Sequence, residues 1–208
     1  MVPYRFSRRM LLSAPLLALP AALTGLPPQA TAASQSDFGS FLYLVAREAA
    51  AQGISASTVN SALRYAQYLP HVIELDHHQP EQVLTFAQYL QKTVSPQRIE
   101  HARRELYDSW GLLEAVHRRY GVDPRFIVAL WGMESDFGKV MGDYLVLSSL
   151  ATLGFDGRRG PYFRGELISA LRIIDQRNVG PGNMTGSWAG AMGQCQFMPS
   201  TFLRYAVD

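Results

Sequence analysis

Cysteine is all but missing. Cys195 stands alone among 208 residues, which excludes an internal disulfide and any zinc site built on several thiolates. The five histidines lack metal-ligand spacing; His77 and His78 are simply adjacent in a polar stretch. No apolar run is long enough to cross a bilayer as a helix. Charge of one sign is lacking too. Nineteen Lys and Arg against seventeen Asp and Glu leave +2, with no basic stripe of the kind a nucleic-acid partner requires. Strand signals are scarce, and there is no internal repeat or low-complexity tract.

What is present begins with an address rather than a fold. Arg5, Arg8 and Arg9 precede an apolar run from Met10 to Leu23, broken by Ser13, Pro15 and Pro20, and Ala30-Thr31-Ala32 offers a small-residue cleavage site. This is the layout of an export signal over residues 1–32. Arg8-Arg9 with Leu11 and Leu12 behind them resemble a twin-arginine signal, the alternative being an ordinary secretory one. No Cys follows the run, so a lipoprotein anchor is not expected. The expected product is soluble and periplasmic. Removing the signal takes three arginines with it and moves the net charge from +2 to −1. Residues 33–208 then form one domain, large enough to bury a core.

Helical periodicity dominates that domain. Residues 38–52 and 56–68 form a helical pair split by Gly53. The polar, proline-containing stretch His71–Pro80 reads as a loop. A helix over 81–91 leads to Ser95-Pro96, a cap followed by proline at the first helical position, and the next helix runs to Tyr120, where Gly121 stops it. Asp123-Pro124 repeats the device. Helices follow near 144–153 and 161–177. Residues 178–195 carry Gly180, Gly182, Gly186, Gly190 and Gly193, too many for a helix, and Pro199 opens a last short one. The fold class is mainly α.

One carboxylate is out of place. Ile127, Leu130, Trp131 and Glu134 recur at helical spacing along one stripe, apolar except at its last member. In a core position at a helix C-terminus, desolvation and the helix dipole would both disfavour its charged form. That suits a general acid. Geometry alone leaves a second reading open, a buried Glu paired with Arg158 or Arg159. Asp136, Asp143, Asp156, Glu166 and Asp175 read as surface acids.

Three stretches resemble the lytic murein transglycosylase B family, whose catalytic unit is a transglycosylase SLT-type domain. They are VALWGMESDFGKVMG (Val128–Gly142), LATLGFDGRR (Leu150–Arg159) and GSWAGAMGQCQFMPS (Gly186–Ser200). Their order and spacing also match, and the resemblance runs from about Tyr89 to Asp208. It implies a lysozyme-like α-fold preceded by an N-terminal helical segment, and peptidoglycan glycan strands as substrate. Glu134 would be the single catalytic acid/base. It would protonate the bond between N-acetylmuramic acid and N-acetylglucosamine, and the muramic N-acetyl group would stabilise the developing cation. Glu134 would then deprotonate the sugar's own 6-hydroxyl to close a 1,6-anhydro ring. No cofactor is implied.

By the same resemblance, Ser187 and Gln196 carry over as polar groups of the active site and Phe197 as cleft lining. Arg158 and Arg159 would bind carboxylates of muramic acid, a structural salt bridge being the alternative. Tyr89 would border the sugar site. Gln194 and Cys195 occupy variable motif positions, Cys195 being expected as a small buried residue. Trp110 and Trp131 are expected in the core, and Trp188 in the cleft wall or the packing. Some members carry a calcium loop beginning at the position of Asp208; no metal is expected of this chain, and the domain is expected to be truncated at its C-terminus. Two other functions compete: a lysozyme-type hydrolase using the same Glu134, and a non-catalytic peptidoglycan-binding protein.

Overall fold

A computed structural model describes residues 35–78, 85–177 and 179–207. The export signal at 1–32, the first part of the helix expected over 81–91, and Asp208 lie outside the described residues. The described residues form ten α-helices, one two-stranded ribbon and a 3-10 turn at Pro181–Asn183. The mainly-α expectation holds.

α1 (Gln35–Ala51) and α2 (Ala56–Leu63) form the expected pair. Gly53 turns the chain between them with φ +82°, and Ser55 caps α2 by accepting from the Thr58 amide. α3 (Pro70–His77) takes up residues 71–77 of the loop expected over His71–Pro80, whose last two residues lie outside the described ones. Its Pro70 sits at the first helical position, its Val72 is fully buried, and Ile73 packs on the same core. His71, Glu74 and His77 cover the outer face, whereas Asp76 turns inward and is buried. α4 (Phe86–Thr93) opens with a reciprocal capping box between Thr85 and Gln88.

The helix expected from Pro96 to Tyr120 is two: α5 (Pro96–Asp108) and α6 (Trp110–Tyr120). Ser109 closes the first through its amide to Glu105 O and starts the second. Ser109 and Gly111 on either side of Trp110 are both poor helix formers. Gly121 ends α6 in the left-handed conformation, as expected. Trp110, placed by the uninterrupted-helix reading in the core, is instead half exposed. α7 (Pro124–Ser135) starts at Asp123, whose carboxylate accepts from the Arg125 amide. The Arg125 guanidinium beside it holds the Asp123 carboxyl down at about 2.

The centre of the fold is the hairpin of α8 (Val146–Asp156) and α9 (Gly160–Arg177). Every residue of α8 from Val146 to Gly154 is buried, the pattern of a helix covered on all sides. Leu147 and Leu150 of α8 and Leu167 and Leu171 of α9 have no exposed surface. Each contributes roughly 1.5–3 kcal/mol through burial. α1, α2 and α3 pack around this hairpin. Two hydroxyls of α8 meet the backbone between α2 and α3: Ser148 Oγ accepts from the Gln67 amide, and Thr152 Oγ1 from the Leu69 amide, both at 3.0 Å.

β1 (Tyr144–Leu145) pairs antiparallel with β2 (Thr185–Gly186), Tyr144 opposite Gly186. α10 (Pro199–Tyr205) ends the described chain. It has no side-chain cap of its own. Glu166 of α9 supplies one, accepting from the Ser200 amide at 2.9 Å and its hydroxyl at 2.6 Å. Glu166 is therefore buried, not the surface acid expected. Among the described residues, no helix is long and apolar enough to cross a membrane.

Candidate active site

α7 has two faces. Val128, Gly132 and Ser135 are buried, turned toward α5 and α6. The stripe of Ile127, Leu130, Trp131 and Glu134 turns the other way, into an open groove of about 590 Å³. The expectation that this stripe belongs to the core is corrected here: Leu130 is 59% exposed and Glu134 is exposed as well. Helical periodicity marks a common face, and a groove wall shows the same pattern as a core. The groove has the size of a small-ligand site. Ser109 and Leu112 of the α5–α6 junction line it, as do Gln194, Cys195 and Phe197 of the glycine-rich loop. Glu134 is the only carboxylate among these lining residues. No described residue hydrogen-bonds or ion-pairs with it.

The helix carrying Glu134 is stopped abruptly. Asp136, Phe137 and Gly138 all have positive φ, at +47°, +60° and +83°. For the first two this is a strained conformation, costing on the order of 1–3 kcal/mol each unless packing holds it. Packing does hold it. The Phe137 ring lies beneath Gly132, where an added Cβ would fall 2.6 Å from its tip. It also packs at a tilt against the His101 ring and meets Trp131 edge-on. Ser135 Oγ accepts from the Gly138 amide at 2.9 Å, and Arg98 faces the Asp136 carboxylate at 3.9 Å. Asp136 therefore belongs to the turn that ends the helix and not to a continuing helical face.

The opposite wall is the loop 187–197. Its backbone folds on itself through Met192 and Phe197, which exchange amide–carbonyl bonds of 2.8 and 3.1 Å. Ser187 is half-buried, and its hydroxyl accepts from the Ala191 amide at 3.0 Å. Gln196, at φ +47°, donates its side-chain amide to Met141 O and Gly193 O at 3.0 and 2.9 Å. The glycines here serve the chain's own packing. A Cβ on Gly186 would lie 2.1 Å from Ala191 O, and one on Gly190 would strike Leu150 at 2.4 Å. Trp188 packs against the main core.

The groove also takes in Gln194, Trp131 and Cys195, none of them an expected site residue. Gln194 Oε1 accepts from the Trp131 indole at 2.6 Å, joining the loop to the helix of Glu134. Nothing local announces that bond, because its partners lie 63 positions apart. Trp131 is half-buried and shared between the groove and the small core under α7. Cys195, expected to be buried, is exposed in the groove.

The remaining candidates lie elsewhere. Arg158 and Arg159 both bind the buried carboxylate of Asp76 at the end of α3. Neither meets Glu134, so the second reading of that residue falls away. The two guanidiniums keep 47% and 44% of their side-chain surface exposed. Burial opposes the charge of Asp76, but its bonds to Arg158 and Arg159 outweigh this and hold its carboxyl below the usual range. Tyr89 is 40% exposed on α4. Asp175 accepts from Ser55 and Thr58, which lowers its pKa. Asp143 and Asp156 are exposed.

A helical frame with one free carboxylate at the mouth of a groove defines a class, and sequence comparison gives the same one: the chain belongs to the transglycosylase SLT domain family, whose pattern matches residues 37–208. It is 40% identical over 121 residues to membrane-bound lytic murein transglycosylase B of Escherichia coli (strain K12), covering 58% of this chain and 34% of that protein. Among solved structures, it is similar to SltB3 from Pseudomonas aeruginosa, crystallised in complexes with NAG-NAM-pentapeptide and NAG-anhNAM-pentapeptide. Each superposes with a TM-score of 0.78 and 40% identity over 82% of this chain and 46% of that one. Soluble lytic transglycosylase SltB1 from the same organism gives 0.73 and 32% identity, covering 82% of this chain and 57% of that one. The chain thus spans about a third of the length of the curated relative and less than half of SltB3.

Proposed function

We propose that this protein is a lytic transglycosylase that cleaves the bond between N-acetylmuramic acid and N-acetylglucosamine in peptidoglycan, with Glu134 as its single acid and base. The observation that carries the reading is the solitary carboxylate. Retaining and inverting glycosidases place two acids about the scissile bond, whereas the groove here has one. The second function must then come from the substrate. Glu134 protonates the leaving oxygen, and the muramic N-acetyl carbonyl supports the cation at C1. The Glu134 carboxylate then takes the proton of the 6-hydroxyl, which attacks C1 and closes the 1,6-anhydro ring. Atoms balance without water. A glycan filling the groove, beside Leu112, Ile127, Leu130 and Trp131, displaces solvent from the carboxyl as the reaction needs.

Family membership and the two SltB3 complexes support this substrate class, the anhydro form being the product expected here. Ser187 and Gln196 would order the loop wall, and Phe197 would line the cleft. Arg158 and Arg159 would present their exposed edges to carboxylates of muramic acid while bound to Asp76, and Tyr89 would border a sugar. Export to the periplasm by residues 1–32 completes the reading.

Purified sacculi digested by the protein test it. The muropeptides released should carry 1,6-anhydro ends by mass spectrometry, and Glu134→Gln should release them at least about 100-fold more slowly. Reducing ends would show a hydrolase, and binding without release by the unaltered protein would show a non-catalytic module.

A further inference from the structure

Gln194 is held in a way that fixes the orientation of its carboxamide. Oε1 accepts from the Trp131 indole at 2.6 Å. An indole N–H only donates, so the oxygen end faces Trp131 and the nitrogen end faces away from it. The flank is shaped as well. Gly138 stands in the left-handed region at φ +83°, and a Cβ there would lie 2.9 Å from both Cδ and Oε1 of Gln194. The missing side chain of Gly138 is thus what gives the carboxamide its seat.

The other end of that group is unused. Gln194 is exposed in the groove it shares with Glu134, and its Nε2 donates to no described residue. The remaining polar chemistry of the lining is different in kind. Glu134 offers oxygens, the Ser109 hydroxyl serves either way, and the Trp131 N–H is already spent on Gln194. The free Nε2 therefore brings the groove N–H groups that donate and never accept.

We propose, resting on the transglycosylase reading, that Gln194 donates this amide to the acetamido carbonyl of N-acetylglucosamine and so selects acetylated over deacetylated strands. The acetamido carbonyl is the strongest neutral acceptor on either sugar. On muramic acid it is committed to C1, and a hydrogen bond there would blunt it. On N-acetylglucosamine it has no such duty. Deacetylation replaces it with an amine that, once protonated, only donates, which sets donor against donor. Gln194 occupies a motif position expected to vary, so the preference would be this chain's own.

The test gives the full chain peptide-free glycan strands in two forms, fully acetylated and deacetylated on glucosamine alone, so that the muramic acetamido group survives in both. The unaltered protein should show a kcat/KM roughly two- to tenfold higher on the acetylated form, the range for one hydrogen bond. Gln194→Met removes the donors and should bring that ratio to about one. Gln194→Glu keeps an acceptor for the Trp131 indole but replaces the donors with oxygen, and it should reverse the ratio in favour of the ammonium. Any loss of folded protein cancels between the two substrates. A purely structural tie would give the same ratio in all three proteins. A ratio of one in the unaltered protein, or an unchanged ratio in either variant, overturns the contact. No turnover of either form by the unaltered protein would instead overturn the transglycosylase reading.

Discussion

The groove separates two regions built to different standards. On one side, α8 and α9 with α1–α3 enclose a continuous core in which Val45, Val72, Leu147, Leu150, Leu167 and Leu171 show no surface at all. On the other, α5–α7 gather around only three buried apolar residues, Leu113, Val128 and Phe137. Ile99, Leu112, Phe126 and Leu130 of the same helices remain open to solvent. The loop of Ser187 and Gln196 roots in the thick region, through Gly190 against Leu150. The acid stands on the thin one. Local stability follows buried contact, so the proton donor rides on the more easily opened wall. Its register with the loop depends on a few ties: Trp131 to Gln194, Gln196 to Met141, and the packed turn at Phe137.

The comparison breaks most visibly at the acid. Glu134→Gln should lower turnover by on the order of 100- to 10,000-fold, with an unchanged denaturation midpoint, because no described residue relies on its charge. A large loss of stability would mean that Glu134 belongs to the scaffold. Next comes the core. Leu150→Ala or Leu171→Ala should cost about 2–5 kcal/mol in urea unfolding, and Leu113→Ala in the thin region should fall near the lower end. Hydrogen exchange should correspondingly be slower in α8 and α9 than in α5–α7, and the reverse order would dissolve the contrast.

Asp76 sharpens it further, since it fastens α3 to the α8–α9 corner. Its carboxyl is held below the ordinary range in the folded chain. The stabilisation is therefore complete above that range and is lost as pH falls through the lowered value. Asp76→Asn should cost ~1–3 kcal/mol at neutral pH, less than a fully buried pair because Arg158 and Arg159 are 47% and 44% exposed. It should also flatten the loss of stability below about pH 4. An unchanged acid limb would remove Asp76 from that role. The smallest effect belongs to Trp131→Phe. It deletes the indole bond to Gln194 and should cost roughly 0.5–1.5 kcal/mol, with turnover falling more than stability. Equal losses would show a purely structural tie.

Much of this was legible in the chain. Cap-and-proline pairs at Ser95-Pro96 and Asp123-Pro124 announced α5 and α7, because those signals are local. The mainly-α class and the family followed from periodicity and motifs. The break between α5 and α6 at Ser109 is a local departure; the others depend on a partner far along the chain. α3 looked like a loop because its charges suggest solvent, yet Asp76 is buried by arginines 82 and 83 positions away. Glu166 looked like a surface acid until α10 came to rest on it. The Glu134 stripe was read correctly as one face, but whether that face meets a core or a groove depends on what packs opposite. Gln194 and Cys195 were read as variable motif positions, and the loop turns both into the groove.

The central claim is that Glu134 acts alone and that the sugar's own 6-hydroxyl, not water, opens the bond. The most direct measurement is digestion of sacculi in water labelled with heavy oxygen, followed by mass spectrometry of the new ends. The account requires 1,6-anhydro ends with no label from the unaltered protein. Labelled reducing ends formed at the same rate would contradict it, showing that water is the nucleophile in this groove.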